Sequence, residues 1–213
     1  MLCHDPSFSN EAARADFERA HPGAAALSSD EPEALAAEVD GLGPLDGFVS
    51  NDVYPITKRL IEEVALEDLR ATFERVLVFP FRLTQLLLPA MKRRRQGSIV
   101  FVTSARETRP EPGFSVPTTI RAGTTAFAKA LAKEAAPFEV QVNVVGPNYL
   151  YSEMYYPRDR FIEDPQGRDL IARTVPFGRL GQPEEVGELI AFLVSGRSRF
   201  TTGQVIYFSG GWP

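Results

Sequence analysis

Short apolar runs alternate along this chain with stretches of helical periodicity, and this alternation limits the fold more than any other feature. The segment SIVFVTS (98–104) is almost continuously apolar, as a strand is when helices cover both faces of its sheet. VQVNVVGPN (140–148) has the same character, and PTTIRAGTTAFAKALAKEAA (117–136) between them has apolar residues at helical spacing. This order of strand, helix and strand predicts an α/β fold with a parallel sheet.

The remaining segments continue the same alternation. Asn10 is a typical N-cap residue and opens a helix over 10–20, and Pro80 is expected to bend a long helical segment over 66–96. Residues 105–115 contain two prolines and a glycine, which predicts a loop. The other predicted elements are a helix over 31–40 ended by Gly41, a strand over 45–51, a helix over 183–196 and a strand over 203–211. Because no internal repeat or interdomain linker is found, the sequence predicts one domain over 1–213.

Composition and charge argue against several classes of function. The chain is 44% hydrophobic and 24% charged, and its net charge of −5 disfavours nucleic-acid binding, which needs a basic face. The one basic run, Lys92-Arg93-Arg94-Arg95, lies at a predicted helix end, where cations complement the helix dipole. No segment reaches the roughly 18 apolar residues of a membrane span, and the N-terminus has no signal-peptide pattern.

The cysteine and histidine content indicates a cytoplasmic protein without a metal site. Cys3 is the only cysteine, so no internal disulfide can form, which suits a reducing compartment. Cys3, His4 and His21 are too few and too poorly spaced to bind zinc. We therefore expect a cytoplasmic location and no metal.

The sequence also offers no good candidate for a dinucleotide-binding turn. A doubly wound nucleotide-binding sheet normally begins with a strand, a glycine-rich turn and a helix. MLCHDPSF at the start reads as the tail of a strand, and no G-x-G-x-x-G pattern occurs before residue 200. The pair Gly210-Gly211 follows the last predicted strand and opens no helix.

Two long stretches resemble the short-chain dehydrogenase/reductase superfamily. They are PFRLTQLLLPAMKRRRQGSIVFVTS (80–104) and GRLGQPEEVGELIAFLVSGRSRFTTGQVIYFSGGW (178–212). The resemblance implies a Rossmann-like, doubly wound parallel sheet. It also implies an active-site serine followed by Tyr-x-x-x-Lys, and here Ser104 is followed by Pro117 at the tyrosine position and Arg121 at the lysine position.

With arginine at position 121, the chain resembles the halohydrin dehalogenases, a cofactor-free group of that superfamily with a Ser-Tyr-Arg triad. LCHDPSF (2–8), VSNDVYP (49–55) and VGPNYLYSE (145–153) are similar to the same group. About 30 residues, the size of one strand–helix unit, precede the similar region in that family. The chain is therefore expected to lack the first strand and helix, and a start of translation further upstream would account for the gap.

The resemblance implies a reaction and a role for each site residue. Halohydrin dehalogenases close a vicinal halohydrin to an epoxide with release of halide, and in reverse they open epoxides with small anions. Ser104 would hydrogen-bond the substrate oxygen, and Arg121 would lower the pKa of the tyrosine that acts as the base. Main-chain N–H groups and apolar walls would bind the halide. The halide site would be lined by Pro147, Asn148, Tyr149 and Leu150.

Pro117 is the departure from the family pattern that most affects function. Proline has no ionisable group and cannot act as a base, although the first turn of a helix tolerates its missing N–H. Glu107 or Glu111 in the preceding loop could supply a base instead. Tyr155 and Tyr156 could either line a substrate pocket or cover the core.

Three functions therefore remain open. The first is a dehalogenase-like lyase, impaired or altered by Pro117, with a small halohydrin or epoxide and halide as its partners and no cofactor. The second is a short-chain oxidoreductase that uses NAD or NADP, and the third is a non-catalytic member of the fold. The resemblance also implies a homo-oligomer, a tetramer or dimer. A stripe of small residues would allow close helix contact: Ala122, Gly123, Ala126 and Ala130.

Overall fold

A computed structural model describes residues 1–8, 10–55 and 58–212 and has the α/β architecture that the apolar pattern predicts. Its main sheet has four parallel strands in the order β3 (Gly47–Ser50), β4 (Gly97–Val102), β5 (Val140–Pro147) and β6 (Val205–Phe208). In register, Phe101 lies between Ser50 and Val144. Because all four strands are parallel, the loops that follow β3, β4 and β5 meet at one edge of the sheet.

A two-stranded parallel pair lies apart from the main sheet. β1 (Leu2–Cys3) pairs with β2 (Ala25–Ala26), and α1 (Glu11–Ala20) connects them. The side chain of Asn10 accepts the N–H of Ala13 at 2.9 Å, so α1 begins where the sequence predicts. After β2 comes α2 (Pro32–Leu42). An apolar cluster around the buried Leu35 of α2 includes Leu2 and Phe48 and so joins the pair to the main sheet.

Helices cover both faces of the central strands. The covering helices are α4 (Phe79–Arg94), α5 (Ser115–Ala135) and α7 (Pro183–Val194). On one face, Met91 of α4 and Leu131 of α5 pack in one cluster with Phe101, and on the other face Val186 of α7 packs with Val100. Val100 and Phe101 are both fully buried, as neighbours on a strand are when each face of the sheet is covered. None of the described helices is long and apolar enough to cross a membrane.

The segment predicted as one bent helix over 66–96 is two helices joined by a π-helical turn. α3 (Leu66–Phe73) leads through Glu74–Val78 into α4, so the irregularity comes just before Pro80. Pro80 has no N–H for the carbonyl of Val76, and that carbonyl instead accepts the hydroxyl of Thr124 at 3.2 Å. The hydrogen bond from Thr124 therefore ties α5 to the turn that precedes Pro80.

Some element boundaries differ from those in the sequence pattern. α2 continues through Gly41 and ends before Gly43, whose φ of 119° only glycine adopts readily. α5 begins at Ser115, before the predicted start at 117. α6 (Pro165–Thr174) has no counterpart in the sequence analysis because its sequence, PQGRDLIART, has too few apolar residues to show helical periodicity.

Candidate active site

One cavity of about 320 Å³ opens where β4 and β5 end at the carboxyl edge of the main sheet. Its walls come from the loops that follow β3, β4 and β5 and from the first turns of α5. Every residue that the sequence assigns to an active site lines it: Ser104, Pro117, Arg121, Pro147, Asn148, Tyr149 and Leu150. A cavity of this volume accommodates a small organic molecule.

Ser104 stands where the chain leaves β4 and turns toward α5. Its extended backbone, with φ of −158°, makes it the N-cap of a short 3-10 turn, Ala105–Glu107. The side-chain oxygen accepts the main-chain N–H of Arg106 at 3.2 Å. Among the described residues nothing accepts the Ser104 hydroxyl hydrogen. The residue is 9% exposed, so this donor is held at the cavity wall and remains available to a ligand.

Arg121 connects three elements at the base of the cavity. Its Nη1 donates to the carbonyl oxygen of Val102 at 2.8 Å, and its Nη2 donates to the carbonyl oxygen of Asp52 at 3.1 Å. These bonds join α5 to the ends of β4 and β3. Burial lowers the pKa of the Arg121 guanidinium, and the neighbouring Tyr155 phenol and Asp52 carboxyl oppose that shift.

The Asp52 carboxylate belongs to a separate ion pair behind the cavity. It accepts the hydroxyl of Ser50 at 2.8 Å and pairs with the guanidinium of Arg75 at 3.3 Å. Burial raises the pKa of the Asp52 carboxyl group, while Ser50 and Arg75 favour its ionised form. Arg121 is therefore bound through the main chain of Asp52, and the carboxylate charge is shared mainly with Arg75.

Pro117 is the third residue of α5 and lines the cavity one helical turn before Arg121. In the first turn its missing N–H costs no hydrogen bond, because no carbonyl of the helix lies in reach of that position. Thr118 beside it also lines the cavity, and its buried hydroxyl has no partner among the described residues. This wall therefore offers a ligand a hydrogen bond but no ionisable group.

Residues 147–150, at the end of β5 and just after it, contribute fewer main-chain donors than the sequence suggests. Pro147 has no N–H, and the N–H of Asn148 donates to the carbonyl of Phe208 at 3.1 Å. The pairing of β5 with β6 therefore uses the main-chain N–H of Asn148 and leaves those of Tyr149 and Leu150. Tyr149 is in the left-handed conformation with φ of 51°, and the N–H groups of Tyr149 and Leu150 donate to no acceptor among the described residues.

The side chain of Asn148 adds a further donor. The residue is 5% exposed, and its Oδ1 accepts the hydroxyl of Tyr156 at 3.2 Å. Its Nδ2 is buried with no acceptor among the described residues. Buried amide donors without a partner are costly, so this atom is well suited to a polar or anionic ligand.

Arg106 is the main site residue that the sequence analysis missed. Its Nε donates to Glu111 at 2.5 Å, its guanidinium stacks on the Phe114 ring at 4.1 Å, and its Nη2 donates to the Tyr156 hydroxyl at 3.3 Å. An arginine in a proline-rich loop usually lies in solvent, and only the Arg106–Glu111 spacing of opposite charges hinted otherwise. With Arg121 it gives the cavity two guanidinium groups.

The two loop glutamates considered as bases do not line the cavity. Glu111 is paired with Arg106, and Glu107 accepts the hydroxyl of Tyr207 at 2.8 Å. Among the described residues, no group of three or more His, Cys, Asp or Glu side chains is arranged to hold a metal ion. The described lining therefore contains no carboxylate, imidazole, amine or thiol.

Two solved structures of dehalogenases are similar to this chain over its whole length. A halohydrin dehalogenase bound to ethyl (2S)-oxiran-2-ylacetate superposes with a TM-score of 0.94 at 36% identity, covering 100% of this chain and 86% of that one. A structure described as a dehalogenation enzyme gives a TM-score of 0.93 at 38% identity, covering 100% and 87%.

Sequence comparison finds reductases. The family described as enoyl-(acyl carrier protein) reductase matches residues 15–213. The 3-oxoacyl-acyl-carrier-protein reductase of Thermotoga maritima is 34% identical over 180 residues, which are 84% of this chain and 70% of that protein. The corresponding reductase of Vibrio cholerae is 32% identical over 191 residues, 87% of this chain and 75% of that protein. Together these similarities confirm the resemblance seen in the sequence motifs.

Proposed function

The chain belongs to the short-chain dehydrogenase/reductase superfamily, and we propose that it is a halohydrin dehalogenase-like lyase. It would convert a small vicinal halohydrin to an epoxide and a halide without a nicotinamide cofactor. One observation carries the proposal: a single cavity combines the Ser104 hydroxyl, the Arg121 guanidinium and the free donors of residues 148–150. The similar solved dehalogenases support the same assignment.

Each wall of the cavity suits one part of such a substrate. The Ser104 hydroxyl would donate to the substrate oxygen as that oxygen loses its proton. The oxygen would then attack the neighbouring carbon, and the carbon–halogen bond would break with its electron pair leaving on the halide. The halide would meet the N–H groups of Tyr149 and Leu150 and the Nδ2 of Asn148, with the Pro147 and Leu150 side chains as apolar walls.

The charge of the cavity also favours this reaction. Negative charge develops on the substrate oxygen and then passes to the departing halide. The described lining carries no carboxylate, and it carries the Arg121 guanidinium and that of Arg106, whose charge is partly offset by Glu111 outside the lining. In a partly enclosed site, such fixed positive charge stabilises anions more strongly than water-exposed charges do.

NAD or NADP is the cofactor that the superfamily implies, and the residues present do not fit it well. Two arms of the Arg121 guanidinium are already bound by main-chain carbonyls. Asp52 follows β3, at the edge of the main sheet where dinucleotides bind in this architecture, and its carboxylate offers a phosphate no hydrogen-bond donor. We therefore derive no step through a nicotinamide.

The test is to incubate the purified protein with vicinal bromohydrins of two to four carbon atoms and no cofactor. Bromide is measured by ion chromatography and the epoxide by gas chromatography. We expect the two products to form in equal amounts at a rate that added NADH or NADPH does not change. In a parallel assay, a 3-oxoacyl thioester should cause no oxidation of NADH or NADPH.

Two results would contradict the proposal. Reduction of the thioester without any bromide release would identify an oxidoreductase, as the similar reductases would suggest. Bromide binding without turnover of any halohydrin would identify a non-catalytic member of the fold, which the proline at position 117 would then explain. Trp212 reports binding independently of turnover, because it is the only tryptophan and its ring packs against Tyr149 at 5.4 Å.

A further inference from the structure

The proposed reaction needs a proton acceptor, and position 117 does not supply one. The titratable side chains of the described cavity lining are few: Arg106, Arg121, Tyr149, Tyr155 and Tyr156. The two arginines are cations and cannot accept a proton. A base within the cavity must therefore be one of three tyrosines, all from the segment that follows β5.

Two of these tyrosines are unsuited to the role. Burial raises the pKa of Tyr156 to about 12, and its hydroxyl is already bonded to Asn148 and Arg106. Burial and the charge of Glu111 also raise the pKa of Tyr149. The rings of Tyr149 and Tyr156 pack against each other, with centroids 5.4 Å apart, beneath this loop.

Tyr155 differs from both in its surroundings. It lines the cavity and is 37% exposed, and its hydroxyl makes no hydrogen bond with any described residue. Ser152 fixes its backbone, because the Ser152 hydroxyl accepts the N–H of Tyr155 at 3.2 Å and the Ser152 carbonyl accepts the N–H of Tyr156 at 2.8 Å. The neighbouring Tyr156 ring is anchored in the core, so the loop holds Tyr155 at the rim of the cavity.

The side chains of Tyr155 and Arg121 lie close enough for their charges to interact. Of the groups that counter the effect of burial on the pKa of Arg121, Tyr155 has a larger influence than Asp52. The partial exposure of Tyr155 gives its proton a route to water after each turnover.

We infer that the Tyr155 phenolate removes the proton of the substrate hydroxyl, in place of the phenol that position 117 lacks. The inference rests on the proposed function. The substrate O–H bond breaks as the Tyr155 O–H bond forms, the substrate oxygen bonds to the neighbouring carbon, and the halide departs with the electrons of the carbon–halogen bond. Tyr155 then passes the proton to solvent.

The experiment compares bromide release by the wild-type protein, Tyr155→Phe and a matched control, Tyr151→Phe. Tyr151 belongs to the same loop but does not line the cavity, and its hydroxyl bonds to Glu153. We expect Tyr155→Phe to lower kcat about 100-fold or more, the usual contribution of a general base, and Tyr151→Phe to stay within about twofold of wild type. Bromide affinity, measured by Trp212 fluorescence, should be unchanged in both variants.

A rescue variant separates a base from a residue that only shapes the loop. Pro117→Tyr in the Tyr155→Phe background places a phenol one helical turn before Arg121 and should restore much of the lost bromide release. Circular dichroism and thermal unfolding confirm that each variant is folded.

The outcomes distinguish the two proposals. Bromide release by the wild-type protein with an equally active Tyr155→Phe variant would overturn the role of Tyr155 and leave the lyase function standing. A Tyr155→Phe variant that loses bromide affinity along with turnover would make Tyr155 a binding residue and would also overturn its role as the base. A wild-type protein that releases no bromide would overturn the proposed function and this inference with it.

Discussion

The Nη1 atom of Arg121 donates to the carbonyl oxygen of Val102 at 2.8 Å, which fixes the second turn of α5 against the end of β4, two residues before Ser104. The Nη2 atom makes the corresponding bond to Asp52 after β3 at 3.1 Å. Only a forked, planar cation reaches both carbonyls at once. The arginine therefore has a structural role in this fold in addition to its charge at the cavity.

Arg121→Lys tests that structural role. Lysine keeps the charge but cannot reach both carbonyls, and a buried carbonyl without a donor costs about 1–3 kcal/mol. We expect the free energy of unfolding, measured by urea denaturation, to fall by about 1–3 kcal/mol, the cost of one lost buried hydrogen bond. Arg93→Lys on the exposed side of α4 is the control and should unfold like wild type. Equal stability of both variants would show that the two carbonyl bonds contribute little.

Ser104→Ala tests the serine hydroxyl as a substrate donor. Its oxygen caps only a short turn, so the loss of stability should be about 1 kcal/mol. Bromide release should fall by about 100-fold or more, because a fixed donor to a developing oxyanion contributes that much. Ser115→Ala, at the exposed start of α5, should leave turnover unchanged. Comparable turnover in both alanine variants would remove Ser104 from the mechanism.

Much of the fold could be predicted because burial leaves a clear sequence pattern. β4 and β5 are covered on both faces, and their sequences are correspondingly apolar throughout. The Asn10 cap and the disruption near Pro80 follow from the chemistry of single residues. α6 could not be predicted in this way, because it buries few side chains and begins at a cap, Asp164, that resembles an ordinary loop residue.

The cavity residues that follow strands could also be predicted, whereas those placed by loop geometry could not. Asn148 directly follows β5 and Ser104 comes two residues after β4, and the ends of these parallel strands share one edge of the sheet. Tyr155 and Tyr156 lie in a loop without periodicity. Their backbone is positioned by hydrogen bonds to Ser152, which the sequence pattern does not reveal. The sequence left open whether these two tyrosines line a substrate pocket or cover the core. Both line the cavity, and Tyr156 is also buried in the core.

Glu185 should make the stability of the protein sensitive to acid. Its carboxylate accepts both arms of Arg179 at 2.7 and 2.8 Å and the N–H of Gln182 at the start of α7, and these contacts lower its pKa from 4.5 to about 2. Because the folded-state pKa is lowered, this stabilisation is complete above about pH 4.5 and is lost as the pH falls through about 2.

Glu185→Gln should therefore lower the Tm at neutral pH, and the difference from wild type should shrink as the pH approaches 2. Thermal unfolding followed across this pH range measures the effect. Glu184→Gln, one residue earlier on the exposed side of α7, removes the same charge without these contacts and is the control. A Tm difference that is the same at every pH would mean that the Glu185 carboxylate charge is not responsible.

Asn148→Asp tests the anion site without turnover. The substitution keeps the shape of the side chain but replaces the unpartnered Nδ2 donor with a carboxylate oxygen, which repels an anion. We expect the bromide Kd to rise about tenfold or more, equivalent to about 1.4 kcal/mol, as measured by the fluorescence of Trp212. Asn51→Asp introduces the same charge on the wall after β3 and should have a smaller effect. If both variants weaken bromide binding equally, charge in the cavity decides the affinity and the Asn148 amide is not a specific donor. If neither variant does, the anion site lies elsewhere.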